Sequence, residues 1–240
     1  MAELKILAFD STAKVASVAV SDGERILGCY NIDNGLTQSE LLLPMAEDLL
    51  KSLKLGFSDI EMLACSVGPG SFTGVRIGVS LVKGIAFGKG LPCAEISTLE
   101  ALAENLSGLS GIIVPCMDAR RGQFYTAVFD GDGNKLVRIT DDAALSAKEL
   151  AQKLCEFDSK DIYIVGDGYA VAHKLLGELG IKLSQTPEIL RNQNAASIAK
   201  IASRLYEDGK TISDPEIAPT YLRVPQAERE RLERLKSDSL

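Results

Sequence analysis

Two aspartates occupy positions where carboxylates often do chemistry. Asp10 follows the apolar run LKILAF, and Asp118 follows IIVPCM, so both stand at the end of a predicted strand. Carboxylates at such positions can hold Mg²⁺ through water, which makes the two residues candidate metal or phosphate-water ligands. Ser11 and Thr12 add hydroxyl groups as candidate phosphate contacts. An aspartate that caps the turn after its strand explains the same pattern, and the sequence leaves both interpretations open.

Glycine-rich turns supply a second candidate for anion binding. The stretch SVGPGSFTGVRIG (residues 66–78) leads into a predicted helix, whose first N–H groups could hold a phosphate or a carboxylate. It is neither a P-loop nor a G-x-S-x-G nucleophile elbow, and a tight strand-to-helix turn explains it as well. Gly166 and Gly168, in the sequence Gly-Asp-Gly, could contact a nucleotide from the second half of the chain or form another such turn.

Histidine and cysteine usage narrows the possible chemistry. His173 is the single histidine, so a two-histidine metal site is impossible, and a Ser-His-Asp or Cys-His mechanism could use only that residue. We expect His173 to be structural. The five cysteines lie far apart without a C-x-x-C pair, which predicts reduced, mostly buried thiols of a cytoplasmic protein.

Charge and hydropathy exclude further classes. The 240 residues include 33 acidic and 26 basic side chains, and the net charge of -7 argues against broad electrostatic binding of nucleic acid or an anionic membrane by this chain alone. No apolar run approaches the roughly 18 residues of a membrane span, and the first ten residues resemble a strand rather than a signal peptide. We therefore expect no membrane association.

The elements that must position these residues form two similar series. The first contains strands at 4–9, 15–20 and 24–31, a helix at 37–54, a strand at 63–67, a helix at 73–87, a strand at 94–97 and a helix at 99–106. The second contains strands at 112–118, 123–129 and 135–140, a helix at 146–157, a strand at 161–165 and helices at 170–179 and 195–208. This order predicts an α/β protein with mixed sheets.

An ungapped shift of 108 residues supports a duplication. It places Asp10, Ala19, Val20, Asp22 and Gly23 on Asp118, Ala127, Val128, Asp130 and Gly131. A duplicated β-β-β-α-β-α-β-α unit is the architecture of the actin, Hsp70 and sugar-kinase superfamily. We predict lobe one at residues 1–108, lobe two at 109–225 with helix 195–208 packing back on lobe one, and a charged tail at 226–240. The tail pairs Glu230 with Arg234 and is expected to be a solvated helix or a frayed end.

The helix at 73–87 is apolar over most of its circumference. Arg76, Ser80 and Lys83 leave only a narrow polar stripe, so two sides of the helix should be buried. One side must face the sheet, and the other faces either the rest of its own domain or a partner protein. Gly74 and Gly78 lower helix propensity, which predicts a close approach by another backbone.

Several stretches together resemble the bacterial TsaB (YeaZ-like) family. They are GPGSFTGVRIGVSLVKGIAFGKGLP followed by STLEALA, LAFDSTAKVASVAV near the start, QSELLLPM in the first helix, DARRGQFYTAVFD in the second half and PTYLRVPQAERE near the end. The resemblance covers essentially the whole chain in the right order. Many relatives have His-Ser-Glu where this chain has Gln38-Ser39-Glu40. That departure suggests that no histidine chemistry is needed there.

The resemblance implies a fold and a function. It implies a two-lobed actin-like ATPase-domain (ribonuclease H-like) fold of the glycoprotease-like group. It also implies a role in forming N6-threonylcarbamoyladenosine at position 37 of tRNAs that read codons beginning with A. The catalytic member is TsaD, with a histidine-rich metal motif; TsaB is its non-catalytic partner, and the small ATPase TsaE joins them. No catalytic residue, metal or cofactor of its own is then expected, although ATP or ADP could bind at the interface in the complex.

The resemblance also implies an interaction surface. The first two helices would pair with TsaD, or with a second copy when the chain is alone, and tRNA would be reached through the complex. Candidate partner-binding residues are Leu41, Leu42, Met45, Val75, Arg76, Val79, Ser80 and Lys83. The alternative is a nucleotide-binding phosphotransferase or ATPase of the same fold that uses Asp10, Asp118 and Gly166–Gly168. A peptidase lacks a convincing nucleophile–base pair.

Overall fold

The computed structural model describes residues 4–157 and 160–223. Its first half contains β1 (Lys5–Asp10), β2 (Ala16–Asp22), β3 (Arg25–Ile32), α1 (Gln38–Ser52), β4 (Met62–Gly68), α2 (Phe72–Ala86), β5 (Cys93–Ser97) and α3 (Thr98–Glu104). The second half contains β6 (Ser110–Asp118), β7 (Gln123–Thr126), β8 (Phe129–Asp132), β9 (Leu136–Arg138), β10 (Ala143–Ser146), α4 (Ala147–Leu154), β11 (Ile162–Val165), α5 (Tyr169–Glu178) and α6 (Ala195–Glu207). The predicted tail at 226–240, with Glu230 and Arg234, lies outside the described residues.

The first sheet has the strand order β3-β2-β1-β4-β5. β1, β2 and β3 are antiparallel neighbours, whereas β4 and β5 run parallel to β1. Side chains alternate between the two faces of a strand. Leu7 and Phe9 of β1 therefore join the core under α1 and α2, and Ile6 and Ala8 join the core under α6.

The second sheet repeats this plan with interruptions. β7 and β8 are both antiparallel to β6 and together act as one broken second strand, while β10 and β9 continue it as a broken third strand. β11 is parallel to β6, as β4 is to β1. An isolated parallel bridge from Tyr163 to Ser184 stands where β5 stands in the first sheet. This topology confirms the predicted α/β fold class and its duplicated unit.

Three details of the predicted duplication are wrong. The strand expected at 123–129 is broken between β7 and β8, and β10 was not expected. The shift of 108 residues correctly superposes Asp10 and Asp118, the last residues of β1 and β6. It does not superpose the hairpin turns, because Gly131 pairs with Leu136 inside β8–β9 and the turn lies at Gly133. The turn glycine comes two residues later after Asp118 than it does after Asp10, so the identities at Asp130 and Gly131 do not mark corresponding positions.

The helices form three layers around the two sheets. α1 and α2 cover the outer face of the first sheet, α3 and α6 lie between the sheets, and α4 and α5 pack on the second. α6 belongs to the second half of the sequence but packs on β1 and β2, where Ile198 and Ala199 are fully buried. The domain boundaries at 108 and 225 stay predictions. Among the described residues, no helix is long and apolar enough to cross a membrane.

The burial of the cysteines predicts the order in which their thiols react. Burial raises the pKa of Cys93 to about 11 and that of Cys116 to about 12, and it raises the pKa of Cys65 further still. Cys155 is exposed. Because the thiolate is the reactive species, an aromatic disulfide reagent should titrate Cys155 first in the native protein, with Cys29 slower. Cys155→Ser should remove the fast absorbance phase, and a fast phase that survives this substitution would contradict the prediction.

Candidate functional site

A cleft of about 620 Å³ opens between the two halves of the chain. The turn after β1, the first turn of α2, the turn after β6 and the segment around Tyr221 form its walls. Its charged lining residues are Lys14, Asp118, Arg120, Arg121, Asp167 and Arg223, and its aromatic lining residues are Phe72, Tyr125 and Tyr221. The cleft therefore combines carboxylates, cations and aromatic rings.

Asp10 does not face this cleft. It is 1 % exposed, and its carboxylate accepts hydrogen bonds from the Thr12 N–H (2.8 Å), the Thr12 hydroxyl (2.6 Å) and the Ser66 hydroxyl (2.9 Å). Burial raises its pKa, and these bonds oppose that shift. The candidate role of Asp10 as a metal or phosphate-water ligand is therefore corrected: it caps the turn after β1 and ties that turn to β4.

Replacing Asp10 with asparagine should destabilise the protein by about 1–3 kcal/mol, because the amide cannot accept all three bonds. A raised pKa in the folded state means that this group's contribution to stability is greatest in acid and is lost as pH rises through the folded pKa. Asparagine does not titrate, so the advantage of the wild type over Asp10→Asn should be larger at about pH 5 than at about pH 8. Urea unfolding at both pH values measures this difference in the free energy of unfolding. Asp33→Asn, at an exposed position, is the control, and an advantage that does not change with pH contradicts the prediction.

Ser11 is also a packing residue. It is 1 % exposed, and its hydroxyl donates to the Gly74 carbonyl oxygen at 2.8 Å. A Cβ added at Gly74 would lie 2.0 Å from the Ser11 carbonyl oxygen, and one at Gly78 would lie 2.5 Å from the Ser11 hydroxyl oxygen. The predicted close approach of a backbone is confirmed at Gly74, whereas at Gly78 the approaching group is the Ser11 side chain. The phosphate contact expected of Ser11 is corrected, because that side chain is held against α2.

The glycine-rich turn before α2 also packs closely against other backbone segments. Gly68 has a φ of +119°, and a Cβ there would lie 2.4 Å from the Thr220 carbonyl oxygen. A Cβ at Gly70 would lie 2.5 Å from the Thr12 carbonyl oxygen, which also accepts the Ser71 N–H. Thr12 is fully buried by these contacts and by Asp10. The turn is thus a strand-to-helix connection that brings three backbone segments together.

Asp118 lies at the cleft, as predicted, but the two glycines of the Gly-Asp-Gly turn do not. Cβ atoms at Gly166 and Gly168 would lie 2.4 and 2.8 Å from the Cys116 carbonyl oxygen, so both glycines pack on β6. Asp167, between them, lines the cleft instead. Burial raises the pKa of Asp167, and the nearby Asp118 carboxylate adds to the shift. The described residues hold no group of three or more side chains suited to a metal ion.

The sequence-based site omitted most cleft residues, among them Arg120, Arg121, Tyr221 and Arg223. Arg120 and Arg121 both have left-handed backbones, with φ of 60° and 56°. Non-glycine residues rarely adopt this conformation, and it is found preferentially at functional sites. These residues belong to the DARRG and PTYLR stretches, which are far apart in the sequence. Only the folded structure brings the two stretches together at the cleft.

The candidate partner-binding residues are mostly internal. Leu41, Leu42, Met45, Val75 and Val79 are at most 9 % exposed and join the core beneath α1 and α2. Their assignment as partner contacts is corrected: they hold the two helices on their own sheet. Arg76 stacks on Phe72 and donates to the Tyr221 hydroxyl at 2.8 Å, and Lys83 donates to the Pro215 carbonyl oxygen. Ser80 is exposed.

A different row of α2 forms the available surface. Ile77, Leu81 and Ile85 recur every four residues and are only partly buried, and we call them the α2 stripe. Leu43 on the neighbouring α1 is 40 % exposed, and Phe87 at the end of α2 is 81 % exposed. Within the described part of the chain, nothing covers this side of α2 fully. The described residues of its own domain therefore enclose α2 only in part.

Comparisons with known proteins agree with this architecture. A family model described as "TsaD: tRNA N6-adenosine threonylcarbamoyltransferase" matches residues 37–231. The tRNA threonylcarbamoyladenosine biosynthesis protein TsaB of Escherichia coli K12 is 30% identical over 92% of this chain and 95% of its own length. The TsaB of Bacillus subtilis 168 is 27% identical over 97% and 100%. The structure of YeaZ from Pseudomonas aeruginosa superposes with a TM-score of 0.76, at 24% identity, over 91% of this chain and 100% of that one.

The two duplicated sheets and the cleft between them define a protein of the two-lobed actin-like ATPase-domain fold. Within that class, the chain belongs to the TsaB (YeaZ-like) family of tRNA threonylcarbamoyladenosine biosynthesis proteins. This confirms the family resemblance noted in the sequence.

Proposed function

We propose that this chain is a non-catalytic partner subunit that binds and supports a TsaD-type catalytic subunit. The reaction is the formation of N6-threonylcarbamoyladenosine at position 37 of tRNAs that read codons beginning with A. The observation that carries the proposal is the half-buried α2 stripe in a member of the TsaB family. An apolar row on a helix whose opposite side is already buried in its own core is suited to a protein–protein interface.

The distribution of reactive groups supports a non-catalytic role. His173 lies in α5, where its ring stacks on Tyr169 at 5.3 Å between centroids, and it is not part of the cleft lining. Asp10 already accepts three hydrogen bonds. The metal chemistry of the reaction therefore belongs to the catalytic subunit in this proposal.

The remaining partners follow from the same assignment. A TsaE-like ATPase joins the complex, and the chain forms a homodimer through the α2 stripe when it is alone. The chain carries no cofactor of its own, and ATP or ADP binds at the shared interface. The complex acts on tRNA in the cytoplasm.

Mixing the purified chain with the TsaD-type protein of the same organism tests this function. Size-exclusion chromatography with light scattering should detect a heterodimer, and a reconstituted modification assay should lose most of its product when this chain is omitted. A chain that stays separate from the catalytic subunit and leaves product formation unchanged would overturn the proposal.

A second candidate is a phosphotransferase or ATPase that works in the cleft. Asp118 and Asp167 favour it, because both carboxylates line the space between the lobes. Calorimetry of the isolated chain with Mg-ATP separates the candidates. Tight binding with turnover that is lost in Asp118→Ala would favour the enzyme, and no detectable binding would favour the partner subunit.

A further inference from the structure

Positive charge is concentrated at the cleft of a chain whose net charge is -7. Lys14 reaches the cleft from the turn after β1, Arg120 and Arg121 reach it from the turn after β6, and Arg223 reaches it from the C-terminal segment. Lys14, Arg120 and Arg121 are exposed, and among the described residues none of the three forms an ion pair. These cations are therefore available to a ligand.

Two hydrogen bonds close the backbone of the turn that carries the two arginines. The Asp118 carboxylate accepts the Arg120 N–H at 2.7 Å, and the Gln123 N–H donates to the Arg120 carbonyl oxygen at 3.2 Å. Both arginines have left-handed backbones, which cost roughly 1–3 kcal/mol per residue unless the surrounding structure holds them. These bonds hold the backbone of the turn, which places both arginines in the lining of the cleft.

Aromatic rings line the same cleft. Tyr221 is 40 % exposed and Phe72 is 38 % exposed, and their ring centroids lie 5.1 Å apart. Tyr125 lines the cleft beneath Arg223, whose guanidinium lies 5.8 Å from that ring. Exposed rings beside unpaired arginines are typical of sites where nucleobases stack and phosphates are neutralised.

The carboxylates restrict which part of a ligand can lie beside them. Asp118 ends β6 and Asp167 follows β11, whereas Arg120 and Arg121 stand further along the turn. Carboxylates repel phosphate oxygens but accept hydrogen bonds from amino groups such as those of adenine and cytosine. A ligand with phosphates near the arginines and amino-bearing bases near the aspartates satisfies both sets of groups.

We propose that this cleft binds a single-stranded segment of RNA, with Arg120 and Arg121 on its phosphates and the exposed rings of Phe72 and Tyr221 beside its bases. The proposal rests on the proposed function, which makes a tRNA the substrate of the complex. It adds that this chain contacts the RNA directly. The modest number of cations agrees with the overall acidic charge, since the chain would contribute a few contacts to a site shared with the catalytic subunit.

Fluorescence anisotropy with an unmodified tRNA transcript tests the proposal, using the chain both alone and in complex with the TsaD-type subunit. The double variant Arg120→Ala, Arg121→Ala should weaken binding about tenfold at moderate salt and reduce the slope of log affinity against log salt by about 1.4, at about 0.7 per phosphate contact. The matched control is Lys148→Ala, Lys153→Ala, which removes the same charge from exposed positions outside the cleft lining.

The outcomes separate this proposal from the proposed function. A double variant that still joins the catalytic subunit but binds tRNA more weakly than the control supports the proposal. Equal affinities of variant, control and wild type overturn it and leave the partner function intact. Displacement of the transcript from the chain alone by millimolar Mg-ATP also overturns it, because the cleft is then a nucleotide site. Failure to form the heterodimer counts against the proposed function, and the titration with the chain alone still decides the RNA contact.

Discussion

Replacing Gly74 with alanine should destabilise the protein by about 3 kcal/mol or more, even though alanine favours a helix by up to about 1 kcal/mol. The added Cβ would lie 2.0 Å from the Ser11 carbonyl oxygen and 3.1 Å from its carbonyl carbon. Both atoms belong to the backbone of the turn after β1, so they cannot move aside as a flexible side chain could. The substitution would push α2 away from the Asp10–Thr12 turn.

Gly84→Ala on the same helix is the matched control. No atom lies within 4 Å of a Cβ at that position, and Gly84 is exposed. The control should be neutral or stabilised by up to about 1 kcal/mol through helix propensity. Urea unfolding monitored by circular dichroism compares the two variants. Equal stabilities would contradict the packing of α2 described above.

Placing glutamates at Ile77 and Leu81 should weaken binding of the TsaD-type subunit by at least about 100-fold. Both side chains belong to the α2 stripe, and a charge carried into an apolar interface without a partner costs several kcal/mol. Size-exclusion chromatography and a titration with the labelled catalytic subunit measure the loss. Val79→Glu is unsuitable for this purpose, because Val79 is 4 % exposed and the charge would disrupt the chain's own core.

Val137→Glu is the control for the interface. Val137 is 63 % exposed and lies on β9 at the edge of the second sheet, so its substitution adds one negative charge, against two in the double variant, to an apolar surface position elsewhere. It should leave the affinity unchanged. Unfolding curves for all variants separate lost binding from lost folding. An Ile77, Leu81 double variant that folds and still binds as tightly as Val137→Glu would place the interface away from the α2 stripe.

The local sequence pattern was sufficient to predict most of the helices and strands and one tertiary contact. The apolar spacing of residues 37–54 and 73–87 predicted α1 and α2 to within a few residues, because the period of a buried helix face is visible in the chain itself. Gly74 and Gly78 predicted a close backbone approach, because glycine is costly in a helix without such a reason. β10 was missed because its half-buried residues, AALS, carry no alternating pattern.

The local sequence pattern could not predict whether a given side chain faces the core, the surface or the cleft. Val75 and Ile77 are both apolar, yet Val75 is 1 % exposed and belongs to the core, while Ile77 lies on the half-buried α2 stripe. Likewise Asp10 and Asp118 end corresponding strands, but only Asp118 lines the cleft. Asp10 is buried and accepts hydrogen bonds from Thr12 and Ser66. These differences depend on neighbours distant in sequence.

The sequence by itself determined the family, the duplicated α/β plan and the shortage of histidine, because all three reside in residue types and their local order. Only the tertiary structure decided which residues make the cleft and which face of α2 is available. Lys14, Arg121 and Arg223 come from three separate segments of the chain, and no spacing rule connects them. Their proximity results from the packing of the two sheets with α3 and α6 and from a C-terminal segment that bonds to β4 and β5, which is a property of the folded chain.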